Sequence, residues 1–154
     1  MTIVPPSLAT PLRRVDPPKW PSPCGYSHAV AGTGTFVFVG GQIAADNAGR
    51  VTSVGLVPQA RQALRNVRTV LAEAGGRPEH IAQMTWYVLD LDFYRAREGE
   101  LGAVYREIMG NHYPAMVLVE VSALFEPSAV VEIAAIAIIP QGGQPQPAGN
   151  PLIP

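Results

Sequence analysis

The sequence predicts an α+β domain in which two helices lie on one face of a mixed β-sheet. Along the chain, hydrophobic periodicity changes in an order that indicates two strands, a helix, a strand, a helix and two strands. Proline is concentrated in residues 1–23 and in the last segment of the chain, where it disfavours helices and central strands. We therefore expect a proline-rich N-terminal arm (1–23), one folded domain (24–140) and a proline- and glycine-rich C-terminal tail (141–154).

The first four elements follow from local patterns. Residues 35–44, TFVFVGGQIA, are aromatic and β-branched, and the turn-forming ADNAGR leads to RVTSVG as a hairpin partner. A helix is predicted from Pro58, with apolar residues at helical spacing, to the glycine pair at 75–76. IAQMTWYVLDL, residues 81–91, predicts the next strand, and Asp92 is expected to cap a second helix.

The last two strands, AMVLVEVSAL and AVVEIAAIAII, are apolar on both sides and are joined by FEPS, which suits a tight connection. In the first of them, Met116, Leu118 and Glu120 share one face while valines share the other. Helices on one side of the sheet leave the second apolar face uncovered. The sequence therefore predicts that the chain packs against copies of itself.

Composition excludes several classes of partner. The 154 residues carry 11 basic and 12 acidic side chains without a basic run, so neither nucleic acid nor an anionic membrane surface is an expected partner. The longest apolar stretch contains Glu132 and is shorter than the roughly 20 residues that cross a bilayer. The single cysteine, Cys24, and the lack of a signal-peptide pattern favour the cytoplasm.

Six segments in order, GYSHAV, FVFVGGQIA, QARQALRNVRTVLAEAGG, MTWYVLDLDFY, YPAMVLVEV and VVEIAAIAI, resemble the Rid family, also called YjgF, whose best-known member RidA is an imine and enamine deaminase. The resemblance covers about residues 24–139. It implies a chorismate-mutase-like fold, a homotrimer whose sheets form a central barrel, and clefts between subunits that bind small carboxylated molecules.

The chain departs from this family at three positions. Deaminating members carry an arginine after Pro-Ala that clamps the substrate carboxylate, whereas this chain has Met116. The family's helix asparagine falls on Gly102, and His28 replaces a glutamine or valine. A thioether supplies neither charge nor a strong donor, so we expect an apolar cleft and inefficient deamination of 2-iminopropanoate.

Two predicted catalytic residues remain. The resemblance implies that Glu132 holds or activates the attacking water and that Tyr26 lies in the cleft near the subunit boundary. The residues alone favour a structural acid bonded to backbone amides for Glu132, and Glu120 has a similar alternative with a weaker functional claim.

Further candidates complete the predicted site. Ala115, Leu118, His112 and Tyr113 are expected to bind substrate beside Met116, and His28 or His112 could transfer a proton. Cys24 is interpreted as structural because it has no motif or activating partner. Scattered histidines provide no metal-ligand spacing, and no glycine pattern forms a phosphate loop, so no metal and no cofactor is expected.

Two hypotheses on function follow. In the first, the protein is a cofactor-free hydrolase or tautomerase of an imine, enamine or related carbonyl compound that is larger or less anionic than 2-iminopropanoate. In the second, the trimer binds a small metabolite without transforming it, as Met116 and Leu118 would permit. An RNA-cleaving activity, sometimes attributed to this family, is disfavoured because Lys19 is the only lysine.

Overall fold

A computed structural model of the chain describes residues 12–140, so residues 1–11 of the predicted N-terminal arm and the whole predicted C-terminal tail lie outside it. The described part contains a two-stranded sheet, a four-stranded sheet and three α-helices. In chain order the elements are β1 (Arg13–Val15), β2 (Ala29–Ala31), β3 (Thr35–Gln42), α1 (Leu56–Glu73), β4 (Ile81–Val88), α2 (Leu91–Ala96), α3 (Glu98–Met109), β5 (Ala115–Glu120) and β6 (Val131–Ile139). A short 3₁₀ helix, Pro78–His80, precedes β4.

The four-stranded sheet has the order β3-β6-β4-β5. β6 runs antiparallel to both of its neighbours, while β5 runs parallel to β4, so the sheet is mixed as predicted. Because β6 inserts between β3 and β4, the last two strands of the chain are not neighbours in the sheet. The FEPS connection therefore crosses β4 instead of closing a hairpin.

Two local predictions were wrong. Residues 51–55 form no strand, and only one bridge joins Ala45 to Val51, because Asp46 closes the turn itself by accepting the amides of Ala48 and Arg50 at 2.8 and 2.9 Å. The second predicted helix is two helices: Asp90, not Asp92, caps α2 through the amide of Phe93 at 2.7 Å, and the chain breaks at Arg97 before α3.

The core lies between α1 and one face of the sheet. Ala60, Leu64 and Val67 on α1 are fully buried, as are Met84 and Ile133 on the sheet. α1 begins after Gly55 and is followed by Gly75, both at positive φ, so the predicted glycine stop is confirmed. The helices therefore cover one sheet face, and the side chains that face the other way are available to a different contact.

The described part of the N-terminal arm is attached to the domain. β1 pairs with β2, with Arg14 opposite Val30. The Asp16 carboxylate accepts the amide of His28 at 2.9 Å and pairs with Arg14 at 3.0 Å, and these two contacts hold the pKa of Asp16 below its usual value. Residues 13–16 are therefore hydrogen-bonded to the chain around His28 and do not form a free tail.

Gln59, on α1, connects three backbone groups and has only 2% of its surface exposed. Its side-chain amide donates to the carbonyls of Ser53 and Ser128 at 3.0 and 2.9 Å and accepts from the amide of Val130 at 2.9 Å. Gln59→Leu would leave these groups without partners, so we expect the free energy of unfolding in urea to fall by about 3 kcal/mol.

Gln62→Leu on the same helix is the matched control. Its half-buried amide donates only to Asn66, at 2.9 Å. We expect the free energy of unfolding of this variant to change by less than about 1 kcal/mol at the same protein concentration. Equal losses in both variants would show that Gln59 has no special role in holding these loops.

Candidate functional site

A cavity of about 350 Å³ opens on the helix-covered side of the sheet, between β4, β5 and α3. We call it the aromatic cavity. Its lining residues are Cys24, Gly25, Trp86, Tyr94, Glu98, Leu101, Gly102, Tyr105, Arg106, Tyr113 and Met116. The volume lies in the range of small-molecule sites, roughly 300 to 1,000 Å³.

Two aromatic pairs form much of the wall. The rings of Trp86 and Tyr94 meet edge to face with centroids 6.0 Å apart, and those of Tyr105 and Tyr113 stack at 5.6 Å. Burial raises the pKa of Tyr105, whose hydroxyl donates to the carbonyl of His112 at 2.7 Å. Burial and the nearby Glu98 carboxylate also raise the pKa of Tyr94. Both phenols are therefore neutral at pH 7, and the wall is suited to an apolar ligand body.

The structure brings two of the predicted substrate-binding residues, Met116 and Tyr113, together in this cavity. Leu118 lies two residues further along β5 on the same face and is exposed. Ala115 points to the opposite face, and its backbone bridges Ser27. Leu118 and Ala115 therefore lie near Met116 in the chain without lining the aromatic cavity.

Neither predicted proton-transfer histidine lines the aromatic cavity. His112 Nε2 lies 2.7 Å from the carbonyl of Ile81, so its ring is directed into the fold. The ring of His28 packs edge to face against Trp20 and Tyr26, at 5.1 and 5.4 Å. Its Nε2 is buried and has no hydrogen-bond partner within residues 12–140.

Cys24 and Gly25, at the start of the loop 24–28, form one rim of the aromatic cavity. Ser27 is buried and fixes this loop, since its amide donates to the Pro114 carbonyl at 2.9 Å and its hydroxyl donates to the Tyr113 carbonyl at 2.6 Å. Cys24 and Gly25 thereby reach the cavity. Tyr26, the second predicted catalytic residue, is exposed next to this rim and contacts His28.

Glu132 lies on the other side of the sheet. On β6 it is opposite Tyr87 of β4, and both line a second cavity of about 340 Å³ together with Gly41. A Cβ at Gly41 would come within 1.8 Å of Glu132 Oε1, so glycine leaves room for the carboxylate in this position and a larger residue would displace it. Within residues 12–140, the Glu132 carboxylate accepts no hydrogen bond.

The two carboxylates on the last strands differ in their surroundings. Glu120 Oε2 accepts the amide of Leu91 at 2.8 Å at the start of α2, which is the structural alternative raised from the sequence. Glu132 has no such bond to backbone within the described chain. Because Met116 and Glu132 point to opposite faces of one sheet, a single chain does not place them in the same pocket.

Sequence reasoning missed six side chains of the aromatic cavity: Trp86, Tyr94, Glu98, Leu101, Tyr105 and Arg106. Cys24, interpreted as structural, is exposed and lines it as well. A signal for Arg106 existed, since Glu98, Gly102 and Arg106 are four residues apart and therefore share one side of α3. The aromatic residues carried no such signal, because three separate elements contribute them.

The described residues provide neither a metal-binding cluster nor a membrane-spanning helix. Across residues 12–140 there is no cluster of three or more histidine, cysteine or acidic side chains that could hold a metal ion. In the same range, every helix is too short or too polar to cross a bilayer.

Comparison with known proteins identifies the family. The fold matches that of a Rid family protein of unknown function from Yersinia pestis with a TM-score of 0.75 and 27% sequence identity, over 84% of this chain and 99% of the other. Residues 19–139 match the family model described as endoribonuclease L-PSP. The chain belongs to the Rid family. The predicted resemblance and the predicted fold class are thus confirmed.

Relatives of this Rid protein include RutC family proteins and imine deaminases. A RutC family protein from Pyrococcus abyssi is 37% identical over 122 residues, which is 77% of this chain and 91% of the relative. Human 2-iminobutanoate/2-iminopropanoate deaminase is 33% identical over 131 residues, 82% and 90% of the two chains. The crystal structure of RidA from an Antarctic Psychrobacter superposes with a TM-score of 0.60 at 28% identity, over 82% and 99%.

Proposed function

We propose that this Rid protein is a cofactor-free hydrolase of the deaminase type, or a tautomerase, that acts on an imine, enamine or related carbonyl compound with a larger apolar body than 2-iminopropanoate. The aromatic cavity carries this proposal. Met116 occupies its β5 wall where deaminating members present an arginine, and aromatic rings form much of the remainder. The 33% identity with a human imine deaminase supports the reaction class.

The catalytic unit that we propose is a homotrimer. Glu132 and the aromatic cavity lie on opposite sides of one sheet, so a site that uses both requires a second copy of the chain. The uncovered sheet face supports this assembly, because Phe36 and Phe38 are 56% and 73% exposed there and Val117 is also exposed. We call this surface the open sheet face (Phe36, Phe38, Thr85, Tyr87, Val117, Val119, Glu132, Ala134 and Ile136).

The proposed chemistry needs only acid and base groups of the protein. Glu132 takes a proton from water as the water oxygen adds to the C=N carbon, which gives a carbinolamine. Proton transfer to nitrogen then allows the C–N bond to break, so that ammonia leaves and a carbonyl remains. Tyr26 is the proposed proton donor or orienting group at the cavity rim, where its exposed hydroxyl belongs to the loop fixed by Ser27.

The test is a coupled assay. An L-amino acid oxidase generates the imine from phenylalanine or from alanine, and semicarbazide traps whatever imine the protein has not hydrolysed. We expect clear protection with the phenylalanine-derived imine and little with 2-iminopropanoate, because the lost charge-assisted anchor costs both imines on the order of 2 to 4 kcal/mol and only the phenyl group regains binding energy against the aromatic walls. Brisk hydrolysis of 2-iminopropanoate would contradict the assignment, and Met116→Arg serves as the comparison variant.

The second candidate function is ligand binding without reaction. It is favoured by the neutral phenols of Tyr94 and Tyr105, since neither provides a base in the aromatic cavity. Saturable binding of aromatic imines or carbonyl compounds, with no product over hours, would support this alternative.

A further inference from the structure

Arg106 brings a positive charge to the aromatic cavity from α3. Two of the three acidic residues of α3 are engaged elsewhere, since Glu100 pairs with Arg97 at 2.9 Å and Glu107 pairs with Arg61, and the third, Glu98, is eight residues from Arg106. Within residues 12–140, Arg106 itself forms no ion pair. Its guanidinium is therefore available to an anion that enters the cavity.

Gly102 leaves room beside this guanidinium. A Cβ on Gly102 would lie 3.3 Å from Arg106 Nη1, which is tighter than an ordinary contact. Glycine inside a helix costs roughly 1 kcal/mol relative to alanine, and at position 102 it keeps the space beside the Arg106 guanidinium free. The N–H donors of Arg106 therefore face the open space of the cavity instead of another side chain.

Trp86 supplies a second donor that lacks a partner. Its side chain is 98% buried, with a relative exposure of 2%, and it lines the same cavity. Its Nε1 has no hydrogen-bond acceptor within the described residues. An unsatisfied buried donor is unfavourable and rare in folded proteins, and Nε1 is closed to solvent here, so an acceptor on a bound molecule would reach it only after a shift of the cavity wall. The Tyr105 hydroxyl does not compete, since it already donates to His112.

We propose that the aromatic cavity binds a carboxylate with an aromatic or branched apolar body, and that Arg106 holds the carboxylate from α3 in place of an anchor at the Met116 position on β5. The apolar body packs against the aromatic walls, which include Trp86. Glu98 lies two helical turns before Arg106, about 12 Å along the axis, so it repels the anion from that end and sets the orientation. This inference rests on the proposed function, because it assumes that the aromatic cavity is the ligand site.

The experiment uses the full chain and a matched pair of probes, 3-phenylpropanoate and its neutral amide 3-phenylpropanamide. Calorimetry measures both dissociation constants, and the rate of Cys24 alkylation gives a second readout, because the single thiol lines the same cavity. We expect the wild type to prefer the carboxylate by about tenfold or more, as a charge-assisted bidentate contact implies. Both probes should slow alkylation of Cys24.

Arg106→Met should abolish this preference while leaving amide affinity within about twofold, and Arg106→Lys should retain part of it. Arg50→Met is the control with the same charge change, since Arg50 is exposed in the turn after β3, outside the cavity lining. The Arg50→Met protein should prefer the carboxylate over the amide as strongly as the wild type does. Both arginines are exposed, so the variants are expected to fold.

Three outcomes overturn the inference in distinguishable ways. If Arg106→Met keeps the wild-type preference for the carboxylate, the anion is held elsewhere. If the wild type binds the acid and the amide equally, the cavity is a ligand site without an anion anchor and the proposed function survives. If neither probe binds or protects Cys24, and the imines of the coupled assay also fail to bind, the aromatic cavity is not the ligand site and the proposed function fails with it.

Discussion

Glu132→Gln is expected to lower the turnover of the best imine substrate by about a hundredfold or more while leaving its dissociation constant nearly unchanged. The amide keeps the size of the side chain and its ability to hydrogen-bond, but it loses the basic oxygen that takes the proton from water. The room that Gly41 leaves for Glu132 suits either side chain, so the variant should fold and assemble. Single-turnover rates and binding constants are measured side by side.

Glu120→Gln is the matched control for this result. Glu120 is also a carboxylate on a terminal strand, but it accepts the amide of Leu91, a bond that glutamine can still make through its oxygen. Its turnover should stay within about twofold of the wild type. Undiminished turnover in Glu132→Gln would remove Glu132 from the mechanism, and an equal loss in both variants would indicate a general effect of charge.

Phe38→Glu is expected to convert the proposed trimer into monomers. Phe38 is 73% exposed in the isolated chain and pairs with Ile136 across the open sheet face. If copies meet on this face, the substitution buries three unpaired carboxylates near the symmetry axis, which costs several kcal/mol for each charge. Light scattering after size-exclusion chromatography gives the mass directly.

Val54→Glu is the comparison variant for assembly. Val54 is 89% exposed before α1, away from the open sheet face, so its substitution should leave the mass unchanged. A monomeric wild type at micromolar concentration would contradict the assembly and the shared site together. A trimeric Phe38→Glu protein would place the contact on a different surface.

Local sequence patterns were sufficient to predict α1 and β4, because side-chain periodicity is set by the chain's own geometry. The same patterns wrongly predicted a hairpin after β3. There the Asp46 carboxylate accepts the turn amides of Ala48 and Arg50, which paired strands would otherwise have bonded to backbone carbonyls. Local patterns could not give the position of β6 between β3 and β4 either, since strand pairing depends on contacts between distant segments.

The site was predictable to a similar extent. The family resemblance identified Met116 and Tyr113, which do line the aromatic cavity, and alternation placed Met116 and Leu118 on one face of their strand. Arg106 was not predicted because an arginine on an amphipathic helix has the same pattern as a solvated one. The separation of Glu132 from Met116 depends on how three strands align, which alternation within each strand does not specify.

The bonds from Ser27 to Tyr113 and Pro114 also determine when the aromatic cavity forms during folding. The hydroxyl bond joins residues 86 positions apart, so the rim closes only after β5 has docked beside β4 and the N-terminal loop has returned to it. Contacts of such long sequence separation form late and slow the folding of the domain. A ligand of the cavity therefore recognises only chains that have completed folding, and its binding energy adds to the stability of the native state without accelerating the steps that precede it.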